Sequence, residues 1–158
     1  MRQRYQGGRR CPRLRGYDYS TPGIYFITFC TAHRTHRLSR VVAGATALTH
    51  DGRCAATAWR TLLRSLPEAR VLAGVMMPDH VHILLHLRAD ISPRRAVSEI
   101  VGAMKACAAV AINRARGTPG CPIWQRSFYD KAVRTRSELE GIRRYIAENP
   151  RRWSARGA

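Results

Sequence analysis

The stretch VLAGVMMPDHVHILLHL, residues 71–87, holds two apolar runs, Val71 to Met77 and His80 to Leu87, joined by Pro78-Asp79. Proline fixes its own φ and aspartate bonds its local backbone, so the stretch predicts a β-hairpin. On a strand, residues two apart share a face. His80 and His82 therefore project side by side while Val81 and Ile83 turn to the opposite side, and His86 continues the histidine face. Taken alone, the pair fits two readings: ligands gripping one metal ion, or partly buried histidines bonded to backbone or water.

Upstream, Gly16 to Gly23 (GYDYSTPG) carries turn chemistry, and Ile24 to Thr31 (IYFITFCT) is β-branched and aromatic, which predicts a first strand. Arg37 to Ala43 is expected as a short second strand or ribbon. Thr49 to Leu66 follows as a helix, with Trp59, Leu62, Leu63 and Leu66 at helical spacing and Pro67 closing it. Downstream, Ser92 or Pro93 is expected to open a helix whose Val97, Ile100, Val101, Met104, Ala108 and Ile112 share one face, ending near Arg116-Gly117. After the loop GTPGCP comes a short Lys131 to Arg134 segment. Ser137 is then read as the start of a final helix, with Glu140 at its capping-box position and Leu139, Ile142, Tyr145 and Ile146 repeating along it. This order, with a hairpin in the middle, favours an α+β sandwich of ferredoxin-like or split βαβ type, one antiparallel sheet with packed helices.

Its 158 residues suit a single domain, 1–158, in which 1–15 forms a basic, flexible arm. No run of about 18 apolar residues is present to span a membrane, and the expected location is the cytoplasm, with the nucleoid. Five cysteines without a CxxC pair argue against a disulfide framework or a closed zinc site and for reduced thiols. The formal net charge of +18 calls for a polyanionic partner, nucleic acid first. Lys105 and Lys131 are the only lysines. Arginine suits phosphate because its planar fork donates two hydrogen bonds at once, although a GC-rich genome would also favour it.

A second constellation lies in RRYIAENP, residues 143–150. Tyr145 and Asn149 stand one helical turn apart and can address one point in space. Tyrosine attacks phosphorus once its hydroxyl is aimed at a phosphate whose charge is neutralised. The plainer reading makes Tyr145 an amphipathic core residue and Asn149 a C-cap, since the residue before proline is pushed out of the helical region.

Four blocks, GYDYSTPGIYFITFCT, VMMPDHVHILLHL, IWQRSFYDKAVR and YIAENPRRW, occur in this order and at these intervals. Together they resemble the bacterial REP-associated tyrosine transposases, relatives of the single-tyrosine insertion-sequence transposases within the HUH endonuclease superfamily. The resemblance runs from about residue 14 to Trp153, and Val81 fills the apolar place between the histidines. It implies cleavage and rejoining of single-stranded DNA near imperfect palindromes that fold as hairpins. It also implies that His80, His82 and Asn149 hold a divalent metal, Mn²⁺ or Mg²⁺, and that Tyr145, on a C-terminal helix, is the nucleophile that forms a 5′-phosphotyrosine. Mixed nitrogen and oxygen ligands suit Mn²⁺ more readily than Mg²⁺.

One departure concerns the third block, which in the family commonly carries Asp or Glu followed by His; here it reads Asp130-Lys131. Lys131 can replace that histidine as a phosphate binder. Asp130 is expected to orient a neighbour or pair with an arginine. Lys105, Arg126, Lys131, Arg134, Arg143 and Arg144 are the candidate DNA contacts, although Lys105 reads more readily as a solvated surface lysine. Trp124, Phe128 and Tyr129 fit base stacking or core packing. Two other functions compete. A DNA-hairpin-binding protein would keep the fold without cleaving. A water-activating metal hydrolase would need a carboxylate near the histidines, and Asp79, the one candidate, is expected to point away along an extended strand. Monomer and homodimer remain open, as does whether the tyrosine serves its own chain.

Overall fold

In the computed structural model, residues 20–92 and 94–155 are described, so the basic arm 1–15 lies outside the described residues. The elements are β1 (Gly23–Cys30), β2 (Ser39–Val42), β3 (Ala45–Leu48), α1 (His50–Arg64), β4 (Ala69–Met76), β5 (His80–Leu87), α2 (Val97–Arg116), β6 (Tyr129–Val133) and α3 (Arg136–Ser154), with a 3₁₀ turn at Ala32–Arg34. The hairpin of residues 71–87 forms as β4 and β5. β1 pairs with β5 on one side and β6 on the other, giving a four-stranded sheet in the order β4-β5-β1-β6 with every neighbour antiparallel. β5 thus lies between β1 and β4, which is the split βαβ arrangement the element order predicted.

Alternation along the central strands divides the sheet. Tyr25, Ile27 and Phe29 of β1 and Val81, Ile83, Leu85 and Leu87 of β5 are buried on one face. α1 and α2 cover that face, α2 through Val97, Ile100, Val101, Met104, Ala108 and Ile112, the six positions its periodicity marked. Fully burying such a side chain contributes about 1.5–3 kcal/mol, so this layer holds the fold together. Trp59 and Trp124 stack, Phe29 stands edge-on to both, and their indoles donate to Met104 O (2.7 Å) and Lys105 O (3.0 Å). Trp124 is therefore core packing, and Phe128 packs against the same cluster.

α3 takes the opposite side, where it packs against β4, β5 and the β2–β3 hairpin. One local expectation gains a partner strand here, and three need correction. The region after Arg37 is a hairpin, because Ala43 (φ 50) and Gly44 (φ 74) both enter the left-handed region and reverse the chain into β3. α2 begins at Val97, since Ala96 is extended and its N–H donates to the Glu99 carboxylate (2.6 Å). α3 is capped by Thr135, whose hydroxyl accepts from Glu138 N (3.1 Å); Glu140 pairs instead with Arg136 (3.0 Å). Finally, α3 runs through Pro150 to Ser154, so Asn149 is no C-cap.

A close approach sets the start of α1. A Cβ on Gly52 would lie 2.0 Å from Leu38 O, so only glycine lets the chain before β2 cross the first turn of the helix. Asp51, buried beside it, takes two bonds from Arg116 Nε (2.7 and 2.9 Å), tying the start of α1 to the end of α2. Among the described residues, no helix is long and apolar enough to cross a membrane, and Cys30, Cys54, Cys107 and Cys121 are free thiols.

Candidate active site

On the α3 side of the sheet, His80 lies across from Cys30 and His82 across from Thr28. The two imidazole centroids are 4.7 Å apart. His82 Nδ1 meets Thr28 Oγ1 at 2.7 Å, and His80 Nδ1 meets Asp79 Oδ1 at 2.6 Å. Both Nδ1 atoms are thus engaged, which fixes the ring orientations and leaves the Nε2 atoms for other chemistry. Such engagement by a carboxylate or hydroxyl is how proteins orient metal-binding histidines.

Asp79 contradicts the expectation that it points away. It sits in the turn before β5, where its carbonyl accepts from Thr31 N (2.9 Å) and Thr31 Oγ1 (3.1 Å), and its side chain swings onto His80. The other carboxylate oxygen bonds Arg34 Nε at 2.9 Å. Arg34 reaches it from a strained turn in which His33 and Arg34 have φ of 54° and 55°. Burial alone would raise the Asp79 pKa; the hydrogen bond and charge of His80, then Arg34, outweigh it and hold the group below its ordinary value. For His82, burial first, then the positive charges of His80 and Arg34, lower the pKa to about 3. It is neutral at physiological pH, as a metal ligand must be.

α3 brings Tyr145 to this pair in the same chain. Its hydroxyl is 3.4 Å from His82 Nε2, and the two rings are 5.2 Å apart. Phe26 stacks on His82 at 5.4 Å and meets Tyr145 edge-on at 6.1 Å, while the Arg152 guanidinium lies 5.7 Å from the Tyr145 ring. Tyr145 is 37% exposed, against 8% for His80 and 5% for His82. A phosphate can therefore reach the phenol while the imidazoles stay sheltered. Asn149, one turn further on, is buried. Among the described residues, no three of His, Cys, Asp and Glu gather around a possible metal position. A site built on this histidine pair needs a third ligand of another type, and the buried Asn149 amide has the right chemistry.

The remaining sequence candidates divide. Arg126, Arg134, Arg143 and Arg144 are exposed. Lys105 is not a solvated surface lysine: its ammonium donates to Gln125 O (2.6 Å), Arg126 O (3.0 Å) and Ser127 O (3.4 Å), and burial lowers its pKa. Lys131, across from Phe26 on the α3 side, bonds Glu138 Oε1 at 3.0 Å. Thr28, Asp79, Arg34 and Phe26 escaped sequence reasoning as parts of the site. Alternation in IYFITFCT would have grouped Phe26 and Thr28 on one face, but only the register puts Thr28 beside His82.

The family described as transposase, IS200-like, matches residues 52–149 of this chain, a span that includes both histidines, Tyr145 and Asn149. An uncharacterized protein of Haemophilus influenzae is 26% identical, over 97% of this chain and 96% of its own. Two solved structures share the fold. The first, a REP-associated tyrosine transposase bound to a REP hairpin, is 22% identical with a TM-score of 0.65, and the match covers 89% of this chain and 73% of that one. The second, a candidate transposase of Deinococcus radiodurans R1, is 24% identical with a TM-score of 0.52, covering 87% and 96%.

Proposed function

Because the chain belongs to the IS200-like transposase family, and so is a DNA transposase, we propose that it cuts and rejoins single-stranded DNA beside imperfect palindromes through a covalent bond to Tyr145. The observation that carries this reading is the meeting of the Tyr145 hydroxyl with His82 Nε2 at 3.4 Å within one chain. A nucleophile suited to phosphorus stands against a sheltered imidazole pair, in which His82 is neutral. The hairpin held by the structurally similar REP-associated transposase supports a folded palindrome as the DNA partner, and the charge of +18 supports a polyanion.

His80 and His82, through Nε2, and the Asn149 amide oxygen would hold a divalent cation, Mn²⁺ or Mg²⁺. When bound, it supplies Lewis-acid polarisation of the scissile phosphate. Asp79 with Arg34, and Thr28, keep the two imidazoles turned toward it. Phe26 and Arg152 fix the Tyr145 ring, so that its oxygen attacks from a set position. The new Tyr145 O–P bond forms as the P–O3′ bond breaks. The DNA 5′-phosphate stays on Tyr145, whose phenolic proton is lost to solvent, and the leaving 3′-oxygen takes a proton from solvent to depart as a 3′-hydroxyl. The phosphodiester energy is kept in the tyrosyl ester, so a 3′-hydroxyl can reverse the step without a nucleotide cofactor. Arg126, Lys131, Arg134, Arg143 and Arg144 serve as backbone contacts around this centre.

Labelled single-stranded hairpin DNA, incubated with the protein and Mn²⁺ or Mg²⁺, should give a protein-linked band on a denaturing gel. Palindromes flanking the protein's own gene are the first substrates to try. An adduct that persists in Tyr145→Phe would overturn the nucleophile assignment, and hairpin binding without cleavage of any palindrome would leave a binding protein only.

A further inference from the structure

A cleft of about 740 Å³ opens beside the catalytic centre, between the β2–β3 hairpin, the start of α1 and the last turn of α3. Three guanidiniums, Arg37, Arg40 and Arg116, against one carboxylate, Asp51, leave its wall positive. Arg116 is committed to that carboxylate, which leaves Arg37 and Arg40 for a ligand. Two buried polar atoms on the wall, Arg37 Nε and Ser39 Oγ, have no hydrogen-bond partner among the described residues. Ser39 is 2% exposed. A buried donor left unpaired bears the full desolvation of the group, and an incoming acceptor relieves it. Arg37 Nε can only donate and the Ser39 hydroxyl can donate too, so the ligand that matches them, beside the Arg37 and Arg40 charges, carries acceptor oxygens and negative charge.

An aromatic wall completes the cleft. Trp153 lines it, and the same indole lies 5.9 Å from His80 and 5.5 Å from His36. One ring thus borders both the cleft and the catalytic pair. We propose that the cleft binds a nucleotide flanking the scissile phosphate of single-stranded DNA, with its backbone phosphate on Arg37, Ser39 and Arg40 and its base on Trp153. A small turn of the Arg37 side chain presents its Nε–H to a phosphate oxygen, and the Ser39 hydroxyl donates to another. The Trp153 face accepts any unpaired base, because every base has a π-face, whereas a base paired and stacked in a duplex cannot lie on it. This inference rests on reading the protein as a single-strand DNA enzyme.

The test uses the full chain and a short oligothymidylate. Trp59 and Trp124 are stacked on each other in the core, so Trp153 is the indole that a bound base can quench. The oligonucleotide should quench tryptophan fluorescence in the wild type and equally in Tyr145→Phe. In Trp153→Phe the quench should vanish while anisotropy of a labelled oligonucleotide shows binding within about threefold of wild type, since Phe still stacks. Ser39→Ala and Arg40→Ala should each weaken binding by about three- to tenfold with unchanged thermal melting, and Arg40→Ala should lower the salt slope by about one. Inorganic phosphate should leave the fluorescence and the oligonucleotide affinity unchanged. Unaltered affinity in both wall variants, or a quench that survives Trp153→Phe, overturns the proposal. So does full competition by inorganic phosphate, which would make this a free-phosphate site. A protein that quenches but never yields the Tyr145 adduct keeps this inference and loses the cleavage reading; an adduct without the quench does the reverse.

Discussion

The two faces of one sheet, drawn from alternate residues of the same two strands, have opposite chemistry. On β5, Val81, Ile83, Leu85 and Leu87 enter the layer under α1 and α2, while His80 and His82 face α3. On β1, Tyr25, Ile27 and Phe29 pack into that core, while Phe26 and Thr28 meet His82. The first face stabilises chiefly through apolar area, and its few polar atoms, the Tyr25 hydroxyl and the Trp59 and Trp124 indoles, are settled on backbone carbonyls. The second is polar at its centre, and each buried imidazole is held by a named bond. A rigid apolar layer one peptide away is what allows the polar face to hold its geometry, because the core fixes the backbone from which the histidines project.

If the faces are this separate, substitutions on each should move different observables. The largest effect belongs to Tyr145→Phe, which removes the proposed nucleophile and should lower adduct formation on the order of 10⁴-fold or more. Its midpoint of urea unfolding should stay close to wild type, since Tyr145 is partly exposed and its hydroxyl contact with His82 Nε2 is long, at 3.4 Å. Next, Phe29→Ala empties a fully buried aromatic site between Trp59 and Trp124. It should cost about 3–5 kcal/mol in urea unfolding. Any folded fraction, kept at low temperature, should still form the adduct, and an adduct lost in proportion greater than the folded fraction would show that the faces are coupled.

Thr28→Val sharpens the comparison from within the polar face. It keeps the side-chain shape but removes the hydroxyl bonded to His82 Nδ1 at 2.7 Å. Mn²⁺ affinity by titration calorimetry should fall by about 10–100-fold, the usual cost of losing such an orienting partner, with little change in stability. An unchanged Mn²⁺ isotherm would mean that His82 does not bind the ion through the ring that Thr28 orients.

How far the sequence could go follows from which contacts are local. Period-two alternation grouped His80 with His82, and helical periodicity picked all six core positions of α2, because each signal depends only on the chain's own repeat. β3 was illegible: its turn needs Ala43 at φ 50, a conformation alanine disfavours, and a Cβ on the adjacent Gly44 would lie 2.9 Å from the Arg151 side chain of α3. The turn lies against a helix more than a hundred residues away, a contact no local signal reports. Asp79 was misjudged because a turn, fixed by Thr31 just past the end of β1, carries it where an extended strand was expected. For the same reason, HVH and YxxxN stay unconnected until the motif resemblance or the fold joins them, since nothing local links β5 to α3.

The smallest expected effect tests the departure at residue 131. Lys131 projects on the α3 side of β6 and bonds Glu138, whose other oxygen accepts from Arg134 N (2.9 Å) in the first turn of α3. The lysine therefore ties the sheet to the start of the helix that carries Tyr145, and an exposed pair of this kind contributes little to stability. If this tether is its role, Lys131→Met and Glu138→Gln should each slow adduct formation by about two- to fivefold and leave Mn²⁺ affinity unchanged, because the helix start loosens while the imidazoles stay fixed. If Lys131 instead binds the DNA phosphate, Lys131→Met should weaken oligonucleotide binding and lower its salt slope by about one, whereas Glu138→Gln should do neither. The two variants thus separate a part that holds the helix from a part that holds the substrate, by single-turnover rates and a salt titration on the same preparations.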